Sequence, residues 1–239
     1  QFPFKLWRNL RDKNLSSADH IFTECSLYES FITEKIDSIS TLHLCREEVL
    51  PYATKEWDGQ NLEVAYLGSI NNIIDIPLIS QLLSSLSRHM NVIFHIVGGG
   101  ESKDSLVNSV KKEGVQVVDH GVMFDKLQMR EIISGCHFAI NMMKKSVCVG
   151  LTIKSIDYFQ IGIPMFNTIK GDTEDIIQKY NCGFNVANVQ ETVDQVMTLN
   201  SESYGKMREN THKVFLEMFT AEVFKRNFEN ILSRILIIR

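Results

Sequence analysis

The sequence predicts an α/β protein built on a doubly wound parallel sheet. Three observations carry that expectation. From residue 62 to about residue 200, short apolar runs alternate with longer amphipathic segments, the pattern of parallel strands joined by helical crossovers. The runs, such as "NVIFHIV" and "HFAINMM", are apolar runs rather than clean alternations, as expected of strands covered on both faces. Glycine follows several of them directly, at Gly68, Gly98 and Gly121, where a strand must turn sharply into a helix.

Residues 4–18 read as a helix, with Leu6, Leu10 and Leu15 near one face and basic residues between them. "HIFTECS" (20–26) reads as a short strand, "SLYESFITEK" as a helix after it, and "STLHLC" (40–45) as another short strand. The polar stretch 46–61 holds Pro51 and an Asp58-Gly59 turn, so residues 51–61 are taken as a linker and residues 1–50 as a separate first segment. The regular alternation then begins. "LEVAYLGS" is a strand and "DIPLISQLLSSLSRH" a helix, with Pro77 near its start, where proline is tolerated. "NVIFHIVGGG" is a strand, and "SKDSLVNSVKKEG" a helix stopped by Gly114. "VQVVDHG", "HFAINMM", "IPMFNT" and "FNVAN" are strands. Between them lie the helices "FDKLQMREIISGC", "LTIKSIDYFQIG" and "DTEDIIQKYNCG". Helices fill the chain from residue 201 to 239. Right-handed crossovers make residues 62–200 one Rossmann-like domain, in which ligands bind beyond the carboxyl ends of the strands.

Bulk properties exclude several classes. The 239 residues carry a net charge of −4, without the basic balance of a nucleic-acid-binding protein. No apolar run approaches the ~20 residues of a membrane span. The amino-terminal stretch has no apolar core or cleavage site of a secretory signal. The chain begins at Gln1, which suggests a fragment or a processed product. The five cysteines (Cys25, Cys45, Cys136, Cys148 and Cys182) are scattered, which points to a reducing, cytoplasmic setting. The seven histidines are isolated in sequence, so neither a metal nor a cofactor is expected. His95 and His120 read as core or capping residues, and Cys148 has no base at a spacing that would activate it.

The informative residues therefore follow the strands. They are Gly68 and Ser69, the triple glycine Gly98, Gly99 and Gly100, the stretch Gly121, Val122 and Met123, and the run Val149, Gly150, Leu151 and Thr152. Glycines let backbone N–H groups approach an anion, and helix amino termini present unpaired N–H groups to it. The plainer reading of each glycine is a tight turn. The triple glycine lacks the G-x-G-x-x-G spacing of a dinucleotide site. Lys154 and Asp157 stand three apart at the start of a helix, hence on one side of a turn. Ile153, Ile156 and Phe159 are then free to face the sheet. A cation at a helix amino terminus is mildly unfavourable unless an anion lies nearby. A phosphate would supply that anion, and a carboxylate one turn later could accept from a vicinal diol. A solvated salt bridge between the two accounts for the spacing equally well.

The stretch K-S-I-D-Y-F-Q-I-G-I-P-M, Lys154 to Met165, resembles the donor-site signature of GT-B glycosyltransferases of family four, the "glycosyl transferases group one". That signature has the form K-[LS]-x-E-Y-[LF]-x-x-G-x-P-V. "LGSINNIIDIPLISQLL", "FHIVGGGESKDSL", "VVDHGVMFDKLQMREIISGCHFAINMM" and "KGDTEDIIQKYNCGFNV" are similar, in order, to other segments of the same domain, so the likeness spans residues 62–190. It implies that the chain binds a nucleotide-sugar donor, with a UDP-sugar as a candidate, and transfers a hexosyl group to a saccharide, lipid-linked or protein acceptor in polysaccharide or glycoconjugate biosynthesis. It implies retention of anomeric configuration and no metal. Asp157 would hold the ribose hydroxyls and Lys154 the diphosphate, as the catalytic cation. Gly121, Val122 and Met123 would lie along the base, and Gly98 and Gly99 would line the donor site. Val149, Gly150, Leu151 and Thr152 would meet phosphate or sugar, and Gly68 and Ser69 the leaving phosphate.

Residues 1–50 are similar to the end of such an enzyme's acceptor-side domain, and the helices of 201–239 would pack back toward it. A peripheral contact with the inner face of a membrane is a further expectation. Two departures stand out. Val149 occupies the position of the family's earlier acidic residue, and "GSINNIID" lacks the basic residue usual after the opening glycine. Lys144, Lys145 or Lys170 are candidates to supply that charge. Two alternatives remain: a non-catalytic GT-B-like binding subunit, and a sugar-nucleotide epimerase.

Overall fold

A computed structural model describes residues 2–15, 17–32 and 38–237. The first segment contains α1 (Phe2–Leu15), β1 (Ile21–Thr23), α2 (Ser26–Glu29) and β2 (Ile39–Thr41). β1 and β2 pair with each other in parallel, apart from the main sheet. The helix expected from Ser26 onward is only four residues long, and residues 33–37 lie outside the described ones. Its side chains bury nothing completely, so packing does not extend it.

The main domain runs β3 (Asn61–Leu67), α3 (Ile76–Ser87), β4 (Asn91–Val97), α4 (Lys103–Lys112), β5 (Gln116–Gly121), α5 (Lys126–Ser134), β6 (Phe138–Asn141), α6 (Ile153–Ile161), β7 (Met165–Asn167), α7 (Asp172–Tyr180), β8 (Gly183–Asn185) and α8 (Val189–Met197). The six strands form one sheet in the order β5-β4-β3-β6-β7-β8, with every pairing parallel. The direction of winding reverses between β3 and β6, which makes their carboxyl ends the switch point of the fold.

Alternation along β3 splits the core in two. Leu62, Val64 and Tyr66 join Ile79, Leu82 and Leu86 of α3 and Leu106 and Val110 of α4 on one face. Ala65 and Leu67 join Ile133 of α5, Ile156 and Phe159 of α6 and Phe215 on the other. Local signals start the helices as the sequence suggests. Asp75 accepts a hydrogen bond from Leu78 N at 3.3 Å to cap α3, and Asp125 accepts from Leu127 N at 2.9 Å to cap α5.

Two final helices follow, α9 (Ser201–Met218) and α10 (Ala221–Ile237). α9 packs on α6 and α7 of the main domain. α10 reaches the first segment, where Phe228 lies 5.6 Å from Phe22 between ring centroids. The stretch 51–60 has no regular structure, but it is fixed. Trp57 is 5% exposed, its ring packs at a tilt against Tyr204 with 5.1 Å between centroids, and its Nε1 donates to Leu199 O at 3.2 Å. Arg208 of α9 is fully buried. It donates to Ala53 O at 3.2 Å, Cys136 O at 2.9 Å, Ser134 O at 3.4 Å and the Tyr204 hydroxyl at 3.1 Å.

The first segment is pinned to the main domain by a carboxylate. Asp172 accepts from Ser26 N at 3.1 and 3.0 Å, from Ser26 Oγ, and from His43 Nε2 at 2.7 Å. Burial works against ionising this carboxyl. The hydrogen bonds from His43 and Ser26 outweigh it and hold the group well below the usual aspartate value.

Candidate functional site

The switch point is built by α6 and the loop after β3. Thr152 caps α6, accepting from Ser155 N at 3.0 Å. Tyr158, buried on the same helix, accepts from Leu67 N at 3.0 Å and donates to Ile140 O at 3.3 Å. It thereby holds the ends of β3 and β6 to one helix. Gly162 ends α6 in the left-handed region at φ 76°, where a side chain would be strained. These roles account for the Tyr-x-x-x-Gly-x-Pro spacing read from the sequence.

Lys154 reaches across the crevice to Gly68. A Cβ placed on Gly68 would lie 3.5 Å from Lys154 Cε. The ammonium sits 4.0 Å above the centroid of the Tyr66 ring. Among the described residues no carboxylate pairs with it. Burial pushes its amine down to about 8, because withdrawal from water penalises the charged form.

Asp157 does not bond to Lys154, so the solvated salt bridge read from their spacing does not form. Its Oδ1 instead accepts from Nε and Nη2 of Arg46, each at 2.7 Å. Burial pushes the Asp157 carboxyl above its ordinary value, with Arg46 opposing the shift. The pair opens onto a cavity of about 640 Å³ that is also lined by Leu67, Lys126, Leu127 and Arg130. Val122 and Phe124, in the loop leading to α5, are exposed, Phe124 to 92%.

The remaining residues named from the sequence divide by environment. Ser69 is exposed, and its carbonyl accepts from the Tyr66 hydroxyl at 2.7 Å. The triple glycine is demanded by backbone crossing: a Cβ on Gly98 would stand 2.0 Å from Gly68 O, and one on Gly100 would stand 2.3 Å from Ile70 O. Gly99 faces the side chain of Val122, with a Cβ there at 2.8 Å from Cγ2. Gly121 has open space around it, whereas Met123 and Leu151 pack at the edge of the second core. Gly150 lies under the first segment, where a Cβ would meet Cys25 Sγ at 2.8 Å and Leu27 Cβ at 2.9 Å. Val149 lines a separate cavity of about 380 Å³ at the ends of β6 to β8, together with Lys144, Lys145, Thr168 and Lys170. The three candidate lysines thus share one cavity, although Lys170 is paired with Glu174.

One expected orientation is corrected. Ile153 does not face the sheet but is 43% exposed. It is the first residue of α6, ahead of the turn in which Ile156 and Phe159 are buried. Sequence reasoning missed Arg46, Tyr66 and Tyr158 as parts of the site. Tyr158 carried a signal in its place one residue after Asp157. Arg46 carried none, lying in a polar stretch.

No protein-family model matches the sequence, and no curated protein matches it. Solved structures do. A point mutant of S. aureus TarM, in complex with Fondaparinux, alpha-GlcNAc-glycerol and UDP, superposes with a TM-score of 0.71 at 14% identity, over 92% of this chain and 45% of that one. Anabaena Alr3699/HepE in complex with UDP matches with a TM-score of 0.70 at 12% identity, over 91% of this chain and 64% of that one. The C-terminal domain of a glycosyl transferase group 1 family protein (LpcC) from Francisella tularensis matches with a TM-score of 0.54 at 16% identity, over 67% of this chain and 87% of that one. The chain therefore has the Rossmann-like fold of GT-B glycosyltransferases, and it spans about half the length of TarM. Among the described residues no helix is long and apolar enough to cross a membrane.

Proposed function

We propose that this chain is the donor-binding part of a glycosyltransferase that takes a hexosyl group from a nucleotide-diphosphate sugar, with uridine as the first candidate base. The acceptor in this reading is a saccharide or lipid-linked group, and anomeric configuration is retained. One observation carries the proposal. Lys154 presents an ammonium without a carboxylate partner among the described residues, against Gly68, at the switch point where such sheets bind ligands. A diphosphate there would supply the missing counter-charge. As the sugar–phosphate bond breaks, negative charge gathers on the leaving phosphate, and a fixed cation in a partly dry crevice stabilises it most at that moment. Asp157, one turn further along α6, keeps Oδ2 available to a ribose hydroxyl while Arg46 occupies Oδ1. The UDP in the TarM and HepE structures supports the choice of base.

Calorimetric titration with UDP, GDP and ADP tests this reading, repeated on Lys154→Ala and Asp157→Ala. Saturable binding of one nucleotide, weakened at least tenfold by each change, is the expected result. Undiminished binding in both variants would refute the placement. A second reading, a non-catalytic GT-B-like module, draws on the Arg46–Asp157 pair and on Val149 in place of an acid. It predicts no release of nucleotide from any nucleotide-sugar by the full-length protein.

A further inference from the structure

Away from the crevice, three side chains converge on one sheet face. Glu63 of β3, His95 of β4 and Cys136, which follows α5, bring a carboxylate oxygen, an imidazole nitrogen and a thiol sulfur within 4.8 Å of one another. We propose that Glu63, His95 and Cys136 form a zinc site that braces β3, β4 and the approach to β6.

The geometry of His95 is the first support. Its Nε2 is buried and has no hydrogen-bond partner among the described residues, an uncommon state for a buried polar atom. It faces Glu63 Oε2 at 3.5 Å. That distance is long for a hydrogen bond, but it is close to the roughly 3.3 Å between nitrogen and oxygen ligands on a tetrahedral zinc ion. The other ring nitrogen, Nδ1, is 3.0 Å from His120 Nε2. With the proton on Nδ1, this contact fixes the ring and turns the Nε2 lone pair toward the cluster.

Glu63 is oriented in the same way, and Cys136 stands beside it. Glu63 Oε1 accepts from Lys55 Nζ at 3.1 Å, leaving Oε2 for the cluster. Cys136 is buried, and its thiol donates to Ile132 O at 3.3 Å, a hydrogen bond that is given up when the sulfur loses its proton. The neighbouring His137 is already engaged: its Nδ1 accepts from Glu63 N at 2.9 Å, and its Nε2 is 3.0 Å from Glu56 O. One nitrogen, one oxygen and one sulfur suit zinc and do not suit magnesium or calcium. On binding, the thiol loses its proton to solvent and the sulfur bonds the ion. Zn²⁺ with one thiolate, one carboxylate and a neutral imidazole is then uncharged, so Lys55 keeps its partner without repulsion. A water would supply the fourth ligand of a tetrahedral ion.

The test is a titration of the full-length protein with Co²⁺ as the probe, followed by competition with Zn²⁺. The expected result is one equivalent of Co²⁺ with a thiolate-to-cobalt charge-transfer band, displaced by Zn²⁺. The band is lost in Cys136→Ser, weakened at least tenfold in apparent affinity in His95→Ala, and kept in Cys148→Ser, which removes the exposed cysteine. If Cys136→Ser does not fold, Glu63→Gln takes its place, with folding checked by circular dichroism, and the same loss of affinity is expected. Absence of the band from the wild type overturns the proposal. So does a band that survives both His95→Ala and Glu63→Gln, or one that disappears with Cys148.

Discussion

Lys154→Met separates the stability of the crevice from its use. Methionine keeps an unbranched apolar stem and removes the charge. In the folded protein burial lowers the amine from 10.5 to about 8. The unfolded chain keeps its proton up to the higher value. The folded state is therefore penalised below pH 8, and the penalty fades as the pH rises from 8 toward 10.5. The difference corresponds to about 3 kcal/mol at pH 7 and about 1 kcal/mol at pH 9.5. The contact of the ammonium with the Tyr66 ring, 4.0 Å from its centroid, offsets about 1 kcal/mol of this. Lys154→Met should then be more stable than the wild type by about 2 kcal/mol at pH 7, and by only about 1 kcal/mol at pH 9.5, where the folded-state amine is neutral and the ring contact no longer offsets anything. Urea unfolding followed by tryptophan fluorescence measures this directly, since Trp57 is buried. A variant less stable than the wild type at pH 7, or a gain that does not shrink with pH, would refute the idea that the ammonium is held at a cost. A more stable variant that no longer binds nucleotide would identify a site kept against stability.

Four further outcomes follow from contacts described above. Arg46→Ala leaves Asp157 half-buried without its partner and should destabilise the fold by about 1 kcal/mol in urea unfolding. Asp172→Asn weakens the hold on Ser26 and His43 and should cost about 2 kcal/mol at neutral pH. Because the Asp172 carboxyl is held below its ordinary 3.8, that difference should shrink as the pH falls below this value, in unfolding curves taken from pH 7 downward. Gly98→Ala forces a Cβ to 2.0 Å from Gly68 O and should abolish or grossly destabilise folding. Gly114→Ala, where φ is 83° and no atom lies within 4 Å, should lose only about 1–2 kcal/mol in thermal denaturation.

The main sheet was legible in the sequence because its signals are local. Most strands are apolar runs, and several helix starts carry a cap, such as Asp75, Asp125 or Thr152. Lys154 beside Gly68 was legible for the same reason: strand ends and helix starts share one edge of the sheet. What was not legible depends on residues far apart in the chain. Arg46 lies 111 residues from Asp157, in the polar stretch 46–61 just ahead of the expected linker. Asp172 meets Ser26 across 146 residues, and nothing near either of them announces the pairing. The triple glycine suggested close approach of a ligand, whereas the approaching atoms at Gly98 and Gly100 belong to the chain's own backbone. Ile153 matched the apolar period of α6 but precedes the turn at which the helix meets the sheet.

Arg208 behaves as a logical conjunction. Among the described residues its buried guanidinium has no carboxylate partner. Carbonyls of Ala53, Ser134 and Cys136 and the hydroxyl of Tyr204 together receive its donors. A buried cation with part of that set missing is strongly disfavoured. The connecting stretch around Ala53, the end of α5 and the helix α9 are thus admitted together or not at all. Amide protons in these three segments should exchange with solvent as one cooperative unit, although the chain separates them by up to 155 residues.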